Sequence, residues 1–188
     1  MDTGDWLAVT QAQALRFFFE RLRDVVGEDD VPSSELLYNA SVLAHFATTS
    51  AAATSHFPGC PTSLSTVFDV FVLDRSQHVD PEIMEAAASQ CLFLTGFFQD
   101  QLRRRYNLAW YASLGAGFYD SAAELGTDRA RSRMMETMAS RFEYWRRQQH
   151  RLAHELRDLP RLIVMPRPRT ADEETSHVEK SGGREVEM

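Results

Sequence analysis

"LLYNASVLAHFATTSAAATSHFPGCPTSLSTVF", residues Leu36 to Phe68, contains no Asp, Glu, Lys or Arg, in a chain of 188 residues of which 25% are charged. Its first half carries two stripes at helical spacing. Leu36, Ala40, Leu43, Ala47 and Ala51 form one, and Tyr38, Val42, His45 and Thr49 form another roughly opposite. A helix touched on nearly all sides cannot hold an unpaired charge, because removing one from water costs more than packing returns. The stretch therefore reads as the central helix of a bundle, followed by a buried turn. Pro32, Ser33 and Ser34 give its start signal, with a serine placed to cap the first turn. Pro58, Gly59 and Pro61 punctuate its end. Asn39, Ser41, His45 and Thr48 to Ser50 make it too polar for a membrane span.

Further helices follow on either side. Asp5 to Val26 places Leu15, Phe18, Phe19, Leu22, Val25 and Val26 on one face and stops at Gly27. Trp6 and Phe17 project from the opposite side and mark a possible partner surface. The segment LSTVFDVFVL suits a strand by composition, but a lone strand leaves its backbone groups unpaired, so a helix is expected there. Asp80 and Pro81 open a helix whose stripe of Ile83, Ala87, Cys91, Leu94 and Phe98 bends or stops near Gly96, with Arg103, Arg104 and Arg105 closing the segment. Asn107 to Leu125 is rich in small residues. Ala112 with Ala116, and Ser113 with Gly117, suggest a close approach by another helix. From Asp128 to Leu159, Met135, Met138, Phe142, Trp145, Gln149, Leu152 and Leu156 recur every three or four residues, which predicts one long helix ended by Pro160. The expected architecture is an all-α bundle of about six helices over residues 1–160. Residues 161–188 are rich in proline, glycine and charge and are expected to form a flexible C-terminal tail.

Composition narrows the function. The first residues, MDTGDWLAV, do not resemble a signal peptide, and no window approaches a membrane span, so a cytoplasmic protein is the expectation. Cys60 and Cys91 have neither disulfide-framework nor zinc-knuckle spacing. The Cys60–Pro61 dipeptide resembles a haem-regulatory motif, yet a dipeptide carries no cofactor assignment, and none is made. The formal net charge of −7 is unevenly placed. Residues 1–100 hold 4 basic and 14 acidic side chains, a balance of −10; residues 101–158 hold 11 and 7, a balance of +4. Nucleic acid is disfavoured by the acidic whole.

Three sets of residues carry candidate chemistry. Tyr38, His45, Trp110, Tyr111 and Tyr119 are placed to line an internal ligand pocket. Arg103, Arg104 and Arg105, with Arg146 and Arg147, form a basic surface suited to phosphate or to a partner's carboxylates. His150 and His154 stand one helical turn apart, with Glu143 seven residues earlier, which is metal-like spacing. All three face away from the apolar seam, so they are read as an exposed polar face, with no metal assigned. Catalytic signatures are absent: there is no phosphate-binding glycine loop, no GxSxG, and no paired ExxH motif. The first reading is a non-catalytic interaction or adaptor protein that binds a protein partner or a second copy of itself. A ligand-binding or catalytic bundle is the alternative.

Between Leu92 and Tyr119, LFLTGFFQDQLRRRYNLAWYASLGAGFY resembles a pattern in uncharacterised bacterial helical proteins. The pattern maps to Leu92, Phe93, Gly96, Phe97, Phe98, Arg103, Arg104, Trp110, Tyr111, Gly115 and Tyr119. Gln99 departs from it where proline is expected, and Trp110 where tyrosine is expected. The resemblance implies an all-α bacterial protein and no particular reaction.

Overall fold

A computed structural model describes residues 10–51, 64 and 80–158. Trp6, Cys60, most of the expected helix at 64–73 and the segment 161–188 lie outside the described residues. Those described form seven helices and no strand: α1 (Gln11–Val26), α2 (Ser33–Ala51), α3 (Pro81–Phe97), α4 (Gln99–Leu102), α5 (Leu108–Leu125), α6 (Arg129–Ser140) and α7 (Phe142–Glu155), closing on a 3-10 turn at Leu156–Asp158. None of these helices is long and apolar enough to cross a membrane. The all-α expectation holds.

Local chemistry fixes most of the ends. Thr10 and Gln13 form a reciprocal capping box at the start of α1. Gly27 ends that helix at φ 65°, a left-handed value that side chains with a Cβ avoid. Asp80 accepts from the Glu82 N–H at 2.8 Å, with Pro81 in the first turn of α3. Asp128 does the same for α6 through Ala130. The start of α2 differs from expectation. Ser33 already lies inside the helix, and the Pro32 carbonyl accepts from the N–H groups of Glu35 and Leu36.

Helices α2, α3 and α7 run parallel. Tyr38 meets Ser89 and Phe46 stacks on Phe93, while Glu35 meets Trp145 and Asn39 meets Gln149 further along both chains. Helix α5 returns antiparallel to α3, so that Ser89 faces Tyr119 and Cys91 faces Gly115. The enclosed helix is α3 rather than α2. Gln90 to Gly96 are all buried, whereas α2 leaves Leu37 and Ser41 exposed. Leu43 is nonetheless fully buried and Ala47 partly so, so the described part of the uncharged stretch turns this side to the core. Its lack of charge reflects that inner face; its outer face carries uncharged Ser41 and Leu37.

A buried carboxylate ties this arrangement together. Glu35, in the first turn of α2, is only 4% exposed and accepts from Arg141 Nη1 at 2.9 Å and Trp145 Nε1 at 3.0 Å. Arg141 also lies over the Tyr144 ring, and the Tyr144 hydroxyl donates to Asp29 Oδ2 at 2.9 Å. The expected single helix from 128 to 159 is interrupted at this point. Arg141 sits at φ −105°, ψ 16°, outside the α region, between α6 and α7. Met138, Phe142 and Trp145 keep helical spacing through the break, so local periodicity shows nothing of it. A matching interruption at Phe98 separates α3 from α4, two residues beyond Gly96.

Small residues do let helices approach, but at a different position from the expected pairs. A Cβ on Gly115 would stand 2.6 Å from Cys91 Cβ and 2.7 Å from the Phe142 ring, whereas one on Gly117 would meet nothing within 4 Å. Gly115→Ala is expected to cost about 1–3 kcal/mol through overpacking, and Gly117→Ala to gain about 0.5–1 kcal/mol from helix propensity. Opposite shifts of the urea midpoint would bear this out; equal ones would show that the α3–α5 contact is loose. Glu35→Ala leaves Trp145 Nε1 without its acceptor and Arg141 without its partner, an expected loss of about 2–4 kcal/mol. Glu35→Gln, which can still accept one bond, should lose less in the same denaturation series.

Candidate functional site

Of the residues proposed to line one pocket, Tyr38 and Tyr119 come together in one cluster, and Trp110 and Tyr111 meet each other in a separate place, ring centroids 4.8 Å apart. The Tyr38 and Tyr119 rings meet edge to face at 6.1 Å, and their hydroxyls lie 3.2 Å apart. Ser89 Oγ completes a triangle, 3.2 Å from Tyr38 and 3.1 Å from Tyr119. Tyr38 also donates to Glu85 Oε1 at 3.1 Å, and Glu85 Oε2 accepts from Arg131 Nε at 2.8 Å. The cluster therefore runs from a fully buried phenol to an arginine at the surface. Burial raises both phenols above the ordinary tyrosine value, and the Glu85 charge adds to this. These hydroxyls are hydrogen-bond donors at neutral pH and have already found acceptors in one another.

The other three lie elsewhere. Trp110 and Tyr111 stand near the start of α5, where eight residues of helix put Tyr111 about 12 Å along the axis from Tyr119. Tyr111 is buried against Tyr106, while Trp110 is 41% exposed. His45 is half-buried beside Phe46, two turns beyond Tyr38, and burial lowers it below the usual imidazole value. Cys91 is a buried thiol pushed up to about 12 by desolvation, unsuited to act as a nucleophile.

The proposed basic surface divides in the same way. Arg146 is a strut, holding both Glu143 oxygens at 2.7 and 2.8 Å and reaching Gln99 Oε1 and the Thr95 carbonyl across to α3 and α4. Arg147 is exposed and shares Glu143 at 3.8 Å. Arg103, Arg104 and Arg105 lie exposed on the turn between α4 and α5, where Asp100 approaches Arg103 at 3.9 Å and no ion pair engages the other two among the described residues. Phe17 is partly buried, edge-on to Phe18, with the Arg21 guanidinium 5.6 Å from its ring centre.

A second polar cluster gathers around the histidine pair. Asp100, from α4, brings Oδ2 to 3.0 Å from His154 Nε2, which is itself 3.2 Å from His150 Nε2. Arg157 Nη2 reaches Asp100 Oδ2 at 3.1 Å and His154 Nδ1 at 2.8 Å. Glu143, the expected third member, is taken by Arg146 and Arg147. Burial lowers His150 below the usual imidazole value. The sequence reading missed Asp100 and Arg157 here, and Glu85, Ser89 and Arg131 in the tyrosine cluster. Arg157 stands three residues from His154 and could have been found by that spacing, whereas Asp100, and Tyr38 or Tyr119 with Glu85, Ser89 and Arg131, meet across long sequence separations. No family model, curated protein or solved structure matches the chain.

The phenol shifts set an alkaline limit. Tyr144 is pushed up to about 12, chiefly by burial and then by its bond to Asp29. Raised phenols contribute stability that is complete below pH 10, the unfolded value, and is lost as pH rises toward the folded values. The urea midpoint should fall steadily between pH 10 and 12. Tyr38→Phe should flatten that fall; an unchanged slope would show that Tyr38 titrates freely while folded.

Proposed function

We propose that the protein is a non-catalytic interaction module, an adaptor or regulatory bundle that engages an acidic protein surface through the turn between α4 and α5. The observation that carries this reading is one corner of the molecule. Three exposed arginines at 103–105 precede a tryptophan that is 41% exposed at the start of α5. Arginine and tryptophan are the side chains that most often concentrate binding energy at protein interfaces. The complementary surface is the acidic half of a second copy, since residues 1–100 carry a balance of −10. Self-association of this kind is sensitive to salt.

The competing reading, an internal pocket for a small molecule, finds less support. Its two convergent residues, Tyr38 and Tyr119, are committed to Ser89 and Glu85, and the adjoining α3–α5 contact at Gly115 has no room for a methyl group. The resemblance to bacterial helical proteins is compatible with either reading.

Native mass spectrometry and sedimentation of the full chain across protein and salt concentration test the proposal. A dimer that dissociates as salt rises is expected, with the double reversal Arg104→Glu, Arg105→Glu weakening it at least tenfold and Trp110→Ala by a similar factor, about 1.4 kcal/mol each. A monomer at every concentration, or a dimer indifferent to these substitutions, removes the corner from the account.

A further inference from the structure

We propose that Asp100, His150 and His154 form a three-ligand site for a divalent transition-metal ion, best suited to zinc, with Arg157 as the tethered cation that occupies it when no metal is bound. The three side chains come from two helices, and one ligand atom from each lies within 4.8 Å of the others. Bonds of about 2.0–2.2 Å to a tetrahedral zinc ion place its ligand atoms about 3.3 Å apart. His150 Nε2 and His154 Nε2 are 3.2 Å apart, and Asp100 Oδ2 is 3.0 Å from the latter. Two imidazoles and one carboxylate with a position left open is the donor set of zinc and its neighbours, not of calcium or magnesium.

The surrounding structure holds the ligands in register. Gln149 and Leu152 are buried on the inner side of α7, which turns His150 and His154 to the rim. Leu102 anchors α4 in the core, and Arg146 ties Gln99, the neighbour of Asp100, to the turn of α7 below His150. Asp100 is thus brought to the histidines by packing and by a charged strut that the metal would not replace.

Arg157 supplies the chemical argument. A guanidinium only donates hydrogen bonds, and Arg157 Nη2 stands nearer His154 Nδ1, at 2.8 Å, than Nε2, at 3.4 Å, so Nδ1 is the acceptor and the proton of the neutral imidazole is assigned to Nε2. There it lies between Asp100 Oδ2 and His150 Nε2, where the ion would stand. Metal binding takes the Nε2 lone pair and leaves the ring's one proton on Nδ1. Arg157 then loses its acceptor and, repelled by the ion, leaves Asp100. Its side chain is 61% exposed, so it can swing into solvent.

The test is zinc titration of the full chain by competition with a chromophoric chelator, with cobalt as a spectroscopic probe. One equivalent is expected, giving the intense visible bands of four-coordinate cobalt. His154→Ala should weaken binding about a hundredfold or more, and Asp100→Asn about tenfold or more. Arg157→Gln should bind severalfold tighter than the native chain. Since all these side chains are at least partly exposed, thermal melts should show each variant folded. Asp100→Asn binding like the native chain would reduce the site to a surface histidine pair and overturn the proposal. So would unchanged binding by His154→Ala, which would place the ion elsewhere. Arg157→Gln binding no tighter would overturn the arginine's role as occupant.

Discussion

A carboxylate removed from water is held only where donors replace its hydration, and Glu35 has two. It sits in the first turn of α2, where the unsatisfied N–H groups of a helix favour negative charge. One residue later begins the run in which no charge appears for 33 positions. The arrangement has a single physical logic: the charge that precedes the uncharged stretch sits in the first turn of α2, favoured by the helix dipole, with an arginine and an indole N–H supplied from more than a hundred residues later. Removing either donor leaves the other bond and the buried charge behind, so the three residues act as a unit.

That unit also spans a break in the chain. Arg141 and Trp145, one helical turn apart, both reach Glu35 where the backbone between α6 and α7 leaves the α conformation for one residue, and α7 runs beside α3. Asn39 lies across the same region, accepting from Gln149 and touching Met138 on the other side of the break. From there Arg146 reaches over to Thr95 and Gln99, fixing how α4 meets the end of α7. The geometry at Asp100 and the two histidines is therefore set several turns away, by a buried ion pair and a buried amide network. Gln149 Oε1, the one buried side-chain atom among the described residues without a donor, lies beside Gly96, where a Cβ would crowd it.

The fold was legible where its causes were local. Capping by Asp80 and Asp128, the stop at Gly27 and the core stripes of α1 and α3 all follow from residues within one or two turns of one another. The helix interruptions were less legible: Phe98 was approached only because Gly96 stood near it, and Arg141 sits inside an unbroken apolar seam. The candidate sites were less legible where partners stand far apart in sequence. The His150–His154 spacing is visible in sequence because both ligands share a helix, but Asp100 reaches them across a fold contact 50 residues away. Tyr38 and Tyr119, named with three other residues for a pocket, do meet, whereas their partners Ser89 and Glu85 carry no local mark. Arginine misled most. Arg146 counted toward a basic face in the sequence, yet it is occupied by a carboxylate of this chain, as are Arg131 and Arg141.

Arg104 and Arg105, which no ion pair engages among the described residues, stand at the corner that Asp100 shares. That single carboxylate approaches Arg103 on one side and Arg157 and His154 on the other. On the two proposals taken together, an ion drawing on its oxygens competes with Arg103 and Arg157, and freeing them raises the positive charge beside Arg104, Arg105 and Trp110. An acidic partner at that corner would then bind more tightly with metal present, and by linkage would favour metal binding by the same factor. Arg103 is where the two proposals meet: it is released by the one site and belongs to the other.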